Sequence, residues 1–506
     1  MNSSRQIKLG ALISYVAIFI NIAAMLLYTP WMKDQIGVAN YGLYNLAHSF
    51  ITMFLLDFGI GSSVARFVAK YRAENNLDAV NKLLGIVSKI YIAIDCIIVV
   101  LFVALYFFIG SIYDGLTAAE IVQFKELYIV IALFSVISFP FTTLGGIFNA
   151  YEKFVHLKLC DLGQKLLSIA LIVGALLLDL GVTAMVLANT VAGVFFILVK
   201  LYLIKRTTPV KPKFSAKDKT MLKEIFGFSV WVMVLGVAQR LTYNIAPSIL
   251  GVFSDSTAIA VYSPASAIAG YFYTFATAIN GLFLPTISRK IAQKKEDDIL
   301  PLMTLVGRFQ VVVLGLLWIG FIAVGREFMI LWMGEEFLPA YYCTIILSLP
   351  TIFEYSQQIA NTTILAKNKV KLQSIGLLGS ALLNIVISSF LSDRFGATGV
   401  SMGICITAFI NLIYINIVYY KVLKINVFEF YKKCYLTIIP PIVISIATSF
   451  ALSKLVTSVS VLTILIKGAA SVAVFFICVW LMHVKKDERK QLLGKAKSIL
   501  RKVTHR

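Results

Sequence analysis

The stretch KRTTPVKPKFSAKDKTMLKE, from Lys205 to Glu224, is the one long polar interval inside a chain of 506 residues. It carries seven Lys or Arg, two acids and two prolines, and hydrophobic runs fill most of the chain on either side. A loop with this charge is retained on the cytoplasmic face of a membrane. The stretch therefore separates an earlier part with six apolar runs from a later part with eight.

The composition is that of a polytopic membrane protein. Hydrophobic residues make up 59% of the chain and charged residues 14%, and the mean hydropathy is +0.86. Each apolar run has about 20 to 26 residues, which is enough for a helix to cross about 30 Å of hydrocarbon. Long alternating strands are absent from the pattern, so we predict an all-α helical bundle.

The net charge of +21 reflects membrane topology and gives no indication of a nucleic-acid partner. Most of the 46 Lys and Arg residues fall in short loops on one side of the predicted spans. Basic loops are retained in the cytoplasm, so both termini are predicted to be cytoplasmic.

We predict fourteen transmembrane spans and two repeated halves. The pairs Tyr44 and Tyr262, and Gly181 and Gly399, are separated by the same 218 positions, which predicts two pseudo-symmetric six-helix bundles. The predicted spans lie near 9–32, 41–65, 83–112, 126–149, 159–180, 182–204, 225–250, 258–287, 301–324, 340–365, 372–392, 397–420, 434–456 and 461–482.

The predicted organisation follows from these spans. It comprises a six-helix bundle over 1–204, a basic cytoplasmic linker over 205–224, a second bundle over 225–420, two peripheral spans within 434–482 and a basic amphipathic tail over 483–506. The tail is expected to bind anionic lipid. In the linker, Ser215 with Asp218 predicts a capping box. In the last span, Lys467 is predicted to extend towards the outer face.

Two motifs carry a family resemblance. The sequence LLDFGIGSSVARFVAKYRAE, from Leu55 to Glu74, has glycines that permit close helix approach and basic residues, including Arg72, that are expected to meet lipid headgroups. Together with YGLYNLA at Tyr41 to Ala47, it resembles the polysaccharide-transport branch of the MOP exporter superfamily, the Wzx-type flippases. The resemblance implies that a polyprenyl-pyrophosphate-linked oligosaccharide is moved from the inner to the outer leaflet of a bacterial plasma membrane by alternating access. It also implies a role in O-antigen, capsule or exopolysaccharide synthesis.

Charged side chains at membrane depth are the first candidates for a substrate site, because they are costly to insert. Arg240 lies in the seventh predicted span with Asn244 one helical turn later, and a guanidinium binds a pyrophosphate with two parallel hydrogen bonds. Arg308 in the ninth span either extends to the headgroups or forms the rim of a cationic entry. A purely structural ion pair is the alternative for Arg240.

Span ten contains a polar stripe, and other spans contain single acids. Glu354, Gln357, Gln358 and Asn361 recur at helical spacing, which predicts hydrogen bonds to sugar hydroxyls; alternatively, Glu354 neutralises Arg240. Asp95 and Asp57 are candidates for binding a coupling ion, H⁺ or Na⁺, and structural pairing is the alternative for both. Asp161 is expected to neutralise Lys165 four residues later.

Three classes of function are compared on these features. A MATE-like exporter of cations or drugs requires a cavity dominated by acids, whereas a lipid II flippase shares the requirements of the oligosaccharide flippase. A membrane glycosyltransferase or polymerase requires a catalytic site in a sizeable outer loop, which the sequence lacks. We therefore predict a transporter that is not an enzyme, with no metal site and no cofactor beyond the coupling ion, and with a polysaccharide polymerase or assembly complex as a partner.

Overall fold

The computed structural model describes residues 3–54, 59–277, 283–456, 458–484 and 489, and its regular elements in those ranges are all helices. A helix satisfies its own backbone hydrogen bonds, which is the requirement for crossing hydrocarbon. The predicted all-α fold class is confirmed. Most of the predicted amphipathic tail lies outside the described residues.

The chain folds into two compact units. Unit 1 comprises Met1–Ser263 with Gln373–Ile404, and unit 2 comprises Pro264–Leu372 with Cys405–Arg506. The divisions fall inside two helices, α11 and α16, whose bounds are given below. The predicted bundles, linker and extra spans remain predictions.

Unit 1 is built from the first ten helices and parts of α11 and α16. Their bounds are α1 (Ser3–Ile36), α2 (Val38–Phe54), α3 (Ile60–Ala73), α4 (Leu77–Ile112), α5 (Ala118–Ser138), α6 (Leu144–Ala150), α7 (Phe154–Leu177), α8 (Gly181–Thr207), α9 (Lys219–Tyr243), α10 (Ala246–Phe253), α11 (Ser256–Thr277) and α16 (Val370–Val422).

The glycine motif of unit 1 allows close helix packing. Gly59 precedes α3 with φ 69°, a conformation that glycine adopts without steric penalty. A Cβ atom on Gly146 of α6 would lie 2.5 Å from the carbonyl oxygen of Gly61, so only glycine fits there. Arg72 donates a hydrogen bond to the carbonyl of Ala150. This guanidinium therefore joins α3 to the end of α6. The sequence analysis expected Arg72 to meet lipid headgroups and did not predict this internal contact.

The basic linker folds against the start of α4. The backbone N–H of Lys211 donates to the Asn81 side chain at 2.8 Å, and the backbone N–H of Lys213 donates to the Asn81 carbonyl at 2.9 Å. Asp218 caps α9 by accepting hydrogen bonds from two backbone N–H groups. The prediction that Ser215 begins the helix is wrong, because Asp218 itself occupies the N-cap position and satisfies the first free donors.

Unit 2 contains the remaining helices. Their bounds are α12 (Leu284–Ala292), α13 (Ile299–Met333), α14 (Leu338–Ser356), α15 (Gln358–Ala366), α17 (Val427–Tyr435), α18 (Ile439–Leu455) and α19 (Val461–Cys478), and the unit also holds the ends of α11 and α16. A π-helical turn, Val479–His483, follows α19.

A buried ion pair fixes α19 to α13. The Lys467 ammonium donates to the Glu327 carboxylate at 2.7 Å, and the two side chains are 1% and 4% exposed. The predicted extension of Lys467 towards the outer face is therefore wrong. An interior carboxylate on a neighbouring helix holds the ammonium at low dielectric, where an ion pair is strong.

Nine described helices are long and apolar enough to cross a membrane, or ten if α17 and α18, which meet at a 43° bend, form one span. The count of fourteen is not confirmed. The number nine counts α16 once, although α16 comprises two helices that meet at Gly396, where φ is 52° and ψ is −131°, and these two helices cover the predicted spans 372–392 and 397–420. The predicted second span, 41–65, falls on α2 and α3, which are each too short to be counted, and residues 55–58 between them lie outside the described residues.

Candidate functional site

The polar stripe of span ten lies at a break between two helices in unit 2. The helix α14 ends at Ser356 and α15 begins at Gln358, so Gln357 occupies the junction. The Gln357 backbone N–H donates to the Glu354 carbonyl at 3.3 Å instead of continuing the α-helical pattern. Broken helices at membrane depth are typical of ion and substrate sites in transporters.

Two amide side chains meet one phenol at this junction. The side-chain N–H groups of Gln357 and Asn416 donate to the Tyr431 hydroxyl at 2.6 Å and 3.0 Å. The side-chain oxygens Gln357 Oε1 and Asn416 Oδ1 are buried and accept no hydrogen bond from the described residues. Sequence reasoning missed Asn416 and Tyr431, because they lie on α16 and α17, far from the stripe along the chain.

Glu354 lies three residues before Gln357, in the last turn of α14. It is half-buried, and the buried phenol of Tyr419 interacts electrostatically with both Glu354 and Tyr431. Among the described residues, no Lys, Arg or His lies within ion-pair distance of Glu354. Gln358 and Asn361 are half-buried on α15, and their predicted contact with sugar remains a prediction.

Arg308 makes its contact at the end of unit 2. It lies on α13 and donates to the carbonyl of His483, the last residue of the π-helical turn. The His483 ring lies 2.8 Å from the Thr437 hydroxyl. Arg308 therefore caps the end of the last described helix, and its predicted role at a cationic entry remains a prediction.

Arg240 and Asn244 occupy the end of α9 in unit 1. Arg240 is half-buried in the last turn, and Asn244 ends the helix and donates to the Thr52 hydroxyl at 3.2 Å. Their predicted roles in substrate binding are not tested by these contacts. Pairing of Arg240 with Glu354 also remains a prediction, since the two residues belong to different units.

Lys165 is a second cationic side chain in unit 1, and the contacts of its neighbours are better defined than those around Arg240. Asp161 on α7 binds Lys200 of α8 at 2.9 Å, so the predicted pairing of Asp161 with Lys165 is wrong. Within the described ranges, Lys165 has no carboxylate partner. His48 on α2 interacts electrostatically with Lys165, and both side chains are exposed. These two side chains on different helices are therefore close enough to interact, and sequence reasoning missed His48.

The two predicted coupling acids have different outcomes. Asp95 is half-buried on α4, and its Oδ1 atom is buried without a hydrogen-bond partner in the described part of the chain. Asp57 lies outside the described residues. Ion coupling through either acid remains a prediction. The described residues contain no group of three or more His, Cys, Asp or Glu side chains placed to hold a metal ion.

The family of this protein follows from a match between the first part of the chain and a known protein family. Residues 8–291 match the family described as polysaccharide biosynthesis protein, which is more than half of the chain. The chain belongs to this family. No curated protein sequence matches it.

Solved structures show the fold of this member of the polysaccharide biosynthesis protein family. A structure of the lipid II flippase MurJ matches with a TM-score of 0.71 at 16% identity, over 94% of this chain and 98% of that chain. A multidrug resistance MATE family transporter of the MOP superfamily matches at 0.64 and 13%, over 75% and 90%. A MOP superfamily transporter from Pyrococcus furiosus matches at 0.55 and 14%, over 81% and 92%.

These likenesses confirm the predicted resemblance to the MOP superfamily. The family member has apolar helices long enough to cross a membrane, and its fold is the one found in these flippase and transporter structures. At these identities the likeness shows the fold, and the transported molecule has to be argued from the residues.

Proposed function

We propose that the chain is a flippase that carries a polyprenyl-pyrophosphate-linked oligosaccharide from the inner to the outer leaflet of a bacterial plasma membrane. The translocated unit would serve the synthesis of a surface polysaccharide such as O-antigen, capsule or exopolysaccharide. The proposal includes alternating access, cytoplasmic termini, a tail that binds anionic lipids, and a polysaccharide polymerase or assembly complex that receives the product.

The observation that carries the proposal is the ammonium group of Lys165. It lies within a candidate membrane span, Phe154–Leu177, where insertion of a charge costs about 2.5–3.5 kcal/mol at a helix centre. The nearby carboxylate of Asp161 binds Lys200 instead. A cation at this depth whose neighbouring carboxylate is already bound is available to an anionic ligand.

His48 makes this place more favourable to anions. It lies close enough to Lys165 to interact with it, and an uncharged imidazole there offers a phosphate oxygen an N–H donor beside the ammonium. A cation or drug exporter would require the opposite sign of charge here. The residues of unit 1 therefore favour the flippase over the MATE-like exporter.

The experiment is complementation of a bacterial strain that lacks its oligosaccharide flippase. We expect the intact protein to restore surface polymer and Lys165→Gln to reduce it by about tenfold or more, since one lost ionic contact at low dielectric is worth more than about 1.4 kcal/mol. Lys165→Arg, which keeps the charge, should retain most of the activity. All variants are compared at equal amounts of protein in the membrane.

Two results would contradict the proposal. If Lys165→Gln restores polymer as well as the intact protein does, the ammonium does not act on the substrate. If the intact protein restores growth only in a strain that lacks its lipid II flippase, the substrate is lipid II. Lipid II is also a lipid-linked diphosphate, so the same cations would bind it.

A further inference from the structure

We infer that residues 211–216 of the basic linker form a strap that holds the start of α9 on α4 and stays docked while the protein transports. The strap contacts four residues of α4, which are Asp78, Asn81, Gly85 and Lys89. Both helices belong to unit 1. The sequence predicted a basic linker between two bundles and no contact of this linker with α4.

The four contact residues lie on one face of α4. They follow one another at intervals of three, four and four positions, and residues three or four positions apart are neighbours on the surface of a helix. The strap therefore follows one face of α4 for about three turns. This makes it a continuous docked segment.

Asn81 binds the main chain of the strap. Its buried side chain accepts a hydrogen bond from the backbone N–H of Lys211 at 2.8 Å, and its carbonyl accepts one from the backbone N–H of Lys213 at 2.9 Å. Backbone donors have fixed positions along the chain, so these two bonds set the register of the strap on α4. Release of the strap would remove the donor that Lys211 gives to a buried oxygen, which is unfavourable.

Gly85 allows the strap to lie close to the helix. A Cβ atom at this position would overlap the carbonyl oxygen of Lys213. That oxygen belongs to the main chain, so it cannot rotate away as the end of a long side chain can. The docked position of the strap therefore depends on a residue without a side chain.

Two charged residues of α4 hold the strap on either side of Gly85. The Asp78 carboxylate binds the ammonium of Lys213, and it also binds Lys82 at 2.7 Å. The Lys89 ammonium donates to the carbonyl of Ala216 at 2.7 Å. The exposed ion pairs of Asp78 contribute little, whereas the hydrogen bond from Lys89 is charge-assisted and partly buried.

The docked strap fixes the start of α9. The N-cap residue of α9, Asp218, lies two positions after Ala216. Two residues span at most about 7 Å, so the start of α9 stays beside α4 as long as Ala216 is held. The linker therefore acts as a short tie between these two helices, in place of a flexible tether between moving bundles.

Docking of the strap is tested by trypsin digestion of the purified full-length protein in detergent. Within the strap, trypsin cleaves after Lys213, because the bond after Lys211 is followed by a proline. Cleavage requires the strap to leave α4, so its rate follows the undocked fraction. We expect Gly85→Ala to raise this rate by about tenfold or more, which corresponds to about 1.4 kcal/mol.

Gly110→Ala is the matched control, since it makes the same substitution on the same helix. A Cβ atom on Gly110 meets nothing closer than a side-chain carbon of Ile121 at 3.8 Å, so the cleavage rate should stay unchanged. Asn81→Ala removes the acceptor for Lys211 and should also raise the rate, which covers a failure of Gly85→Ala to fold. Equal cleavage rates in the natural protein, Gly85→Ala and Asn81→Ala would overturn the inference.

A cross-link tests whether the strap stays docked during transport. Asp78→Cys and Lys213→Cys are introduced together into a protein whose six native cysteines are replaced by alanine, and the two thiols are joined with a short bifunctional reagent. The readout is movement of a polyprenyl-pyrophosphate-linked oligosaccharide across vesicles. We expect the cross-linked protein to be as active as the untreated one. The cysteine-free protein treated with the same reagent is the control.

The part of the inference that concerns transport rests on the proposed function, whereas docking of the strap does not. Loss of transport on cross-linking, while the treated cysteine-free protein stays active, would overturn the inference and leave the flippase in place. If the natural protein moves no sugar, the proposed function fails, and the digestion rates alone then decide whether the strap is docked.

Discussion

The ion-pair partner of Asp161 determines the charge of the candidate site in unit 1. Asp161 could have neutralised Lys165 one helical turn away, but it binds Lys200 on α8 at 2.9 Å. Spacing along a helix predicts which residues are neighbours on that helix. It does not predict a competing partner on the next helix, and that is why the prediction for Asp161 was wrong and His48 was missed.

This arrangement makes a testable prediction about Lys200. In Lys200→Gln, Asp161 loses its partner and becomes free to neutralise Lys165, so we expect polymer production to fall although Lys200 itself does not touch the substrate. The double variant Asp161→Asn with Lys200→Gln removes the competing carboxylate and should restore production. Surface polymer is measured at equal membrane expression.

The control for this prediction is Asp161→Asn alone, which removes the competing carboxylate while Lys165 stays charged and should be close to the natural protein. An active Lys200→Gln variant, or a double variant as defective as Lys200→Gln, would show that the state of Asp161 does not govern Lys165.

At the scale of helices, the sequence predicted which residues form a polar stripe on one helix, but it did not predict which residues of other helices contact that stripe. The recurrence of Glu354, Gln357 and Gln358 predicted a polar face, and the structure places these residues at the break between α14 and α15. The partner residues Asn416 and Tyr431 come from distant helices. Periodicity within one helix has no information about which other helix supplies them.

The pair that joins α13 to α19 shows the same limit. Lys467 was expected to extend towards the outer face because it lies near the outer end of the last predicted span. The structure pairs it with Glu327, which is 140 residues away in the sequence. The helix α19 is also joined to α18, since the hydroxyl of Ser471 on α19 lies 3.0 Å from that of Ser449 on α18.

Removal of one member of this pair should destabilise unit 2. Lys467→Met leaves the Glu327 carboxylate buried without a partner, which we expect to lower the free energy of unfolding by about 3–5 kcal/mol. The double variant Glu327→Leu with Lys467→Met should recover most of this loss. Thermal unfolding of the purified protein in detergent measures the difference.

Lys454→Met is the matched control, because Lys454 is exposed on α18 and lies over the ring of Phe450. It should change stability little. An equal loss of stability in Lys454→Met and Lys467→Met, or no loss in either, would show that the buried pair does not hold α19 in place.

At the scale of the whole molecule, the fold class was the most predictable feature. Long apolar runs specify helices in lipid whatever their tertiary contacts, so composition and charge distribution were enough to predict a helical membrane protein, and the transporter class came from the resemblance of two motifs to a known family. The number of spans was less predictable. The turn at Gly396 falls between two predicted spans, whereas the junction of α14 with α15, inside the predicted span 340–365, depends on a single residue, Gln357.

The central claim concerns the movement of a charged lipid headgroup across a membrane. It is tested most directly with the purified protein in vesicles that carry a polyprenyl-pyrophosphate-linked oligosaccharide on the inner leaflet. A glycosidase that cannot cross the membrane then measures how much sugar reaches the outside. This assay needs no other component of the polysaccharide pathway.

We predict that the natural protein makes most of the inner-leaflet sugar accessible, that Lys165→Arg does so at a similar rate, and that Lys165→Gln is slower by about tenfold or more. Vesicles with the natural protein that expose no more sugar than protein-free vesicles, while the same preparation exports a cationic dye, would contradict the account and favour the exporter.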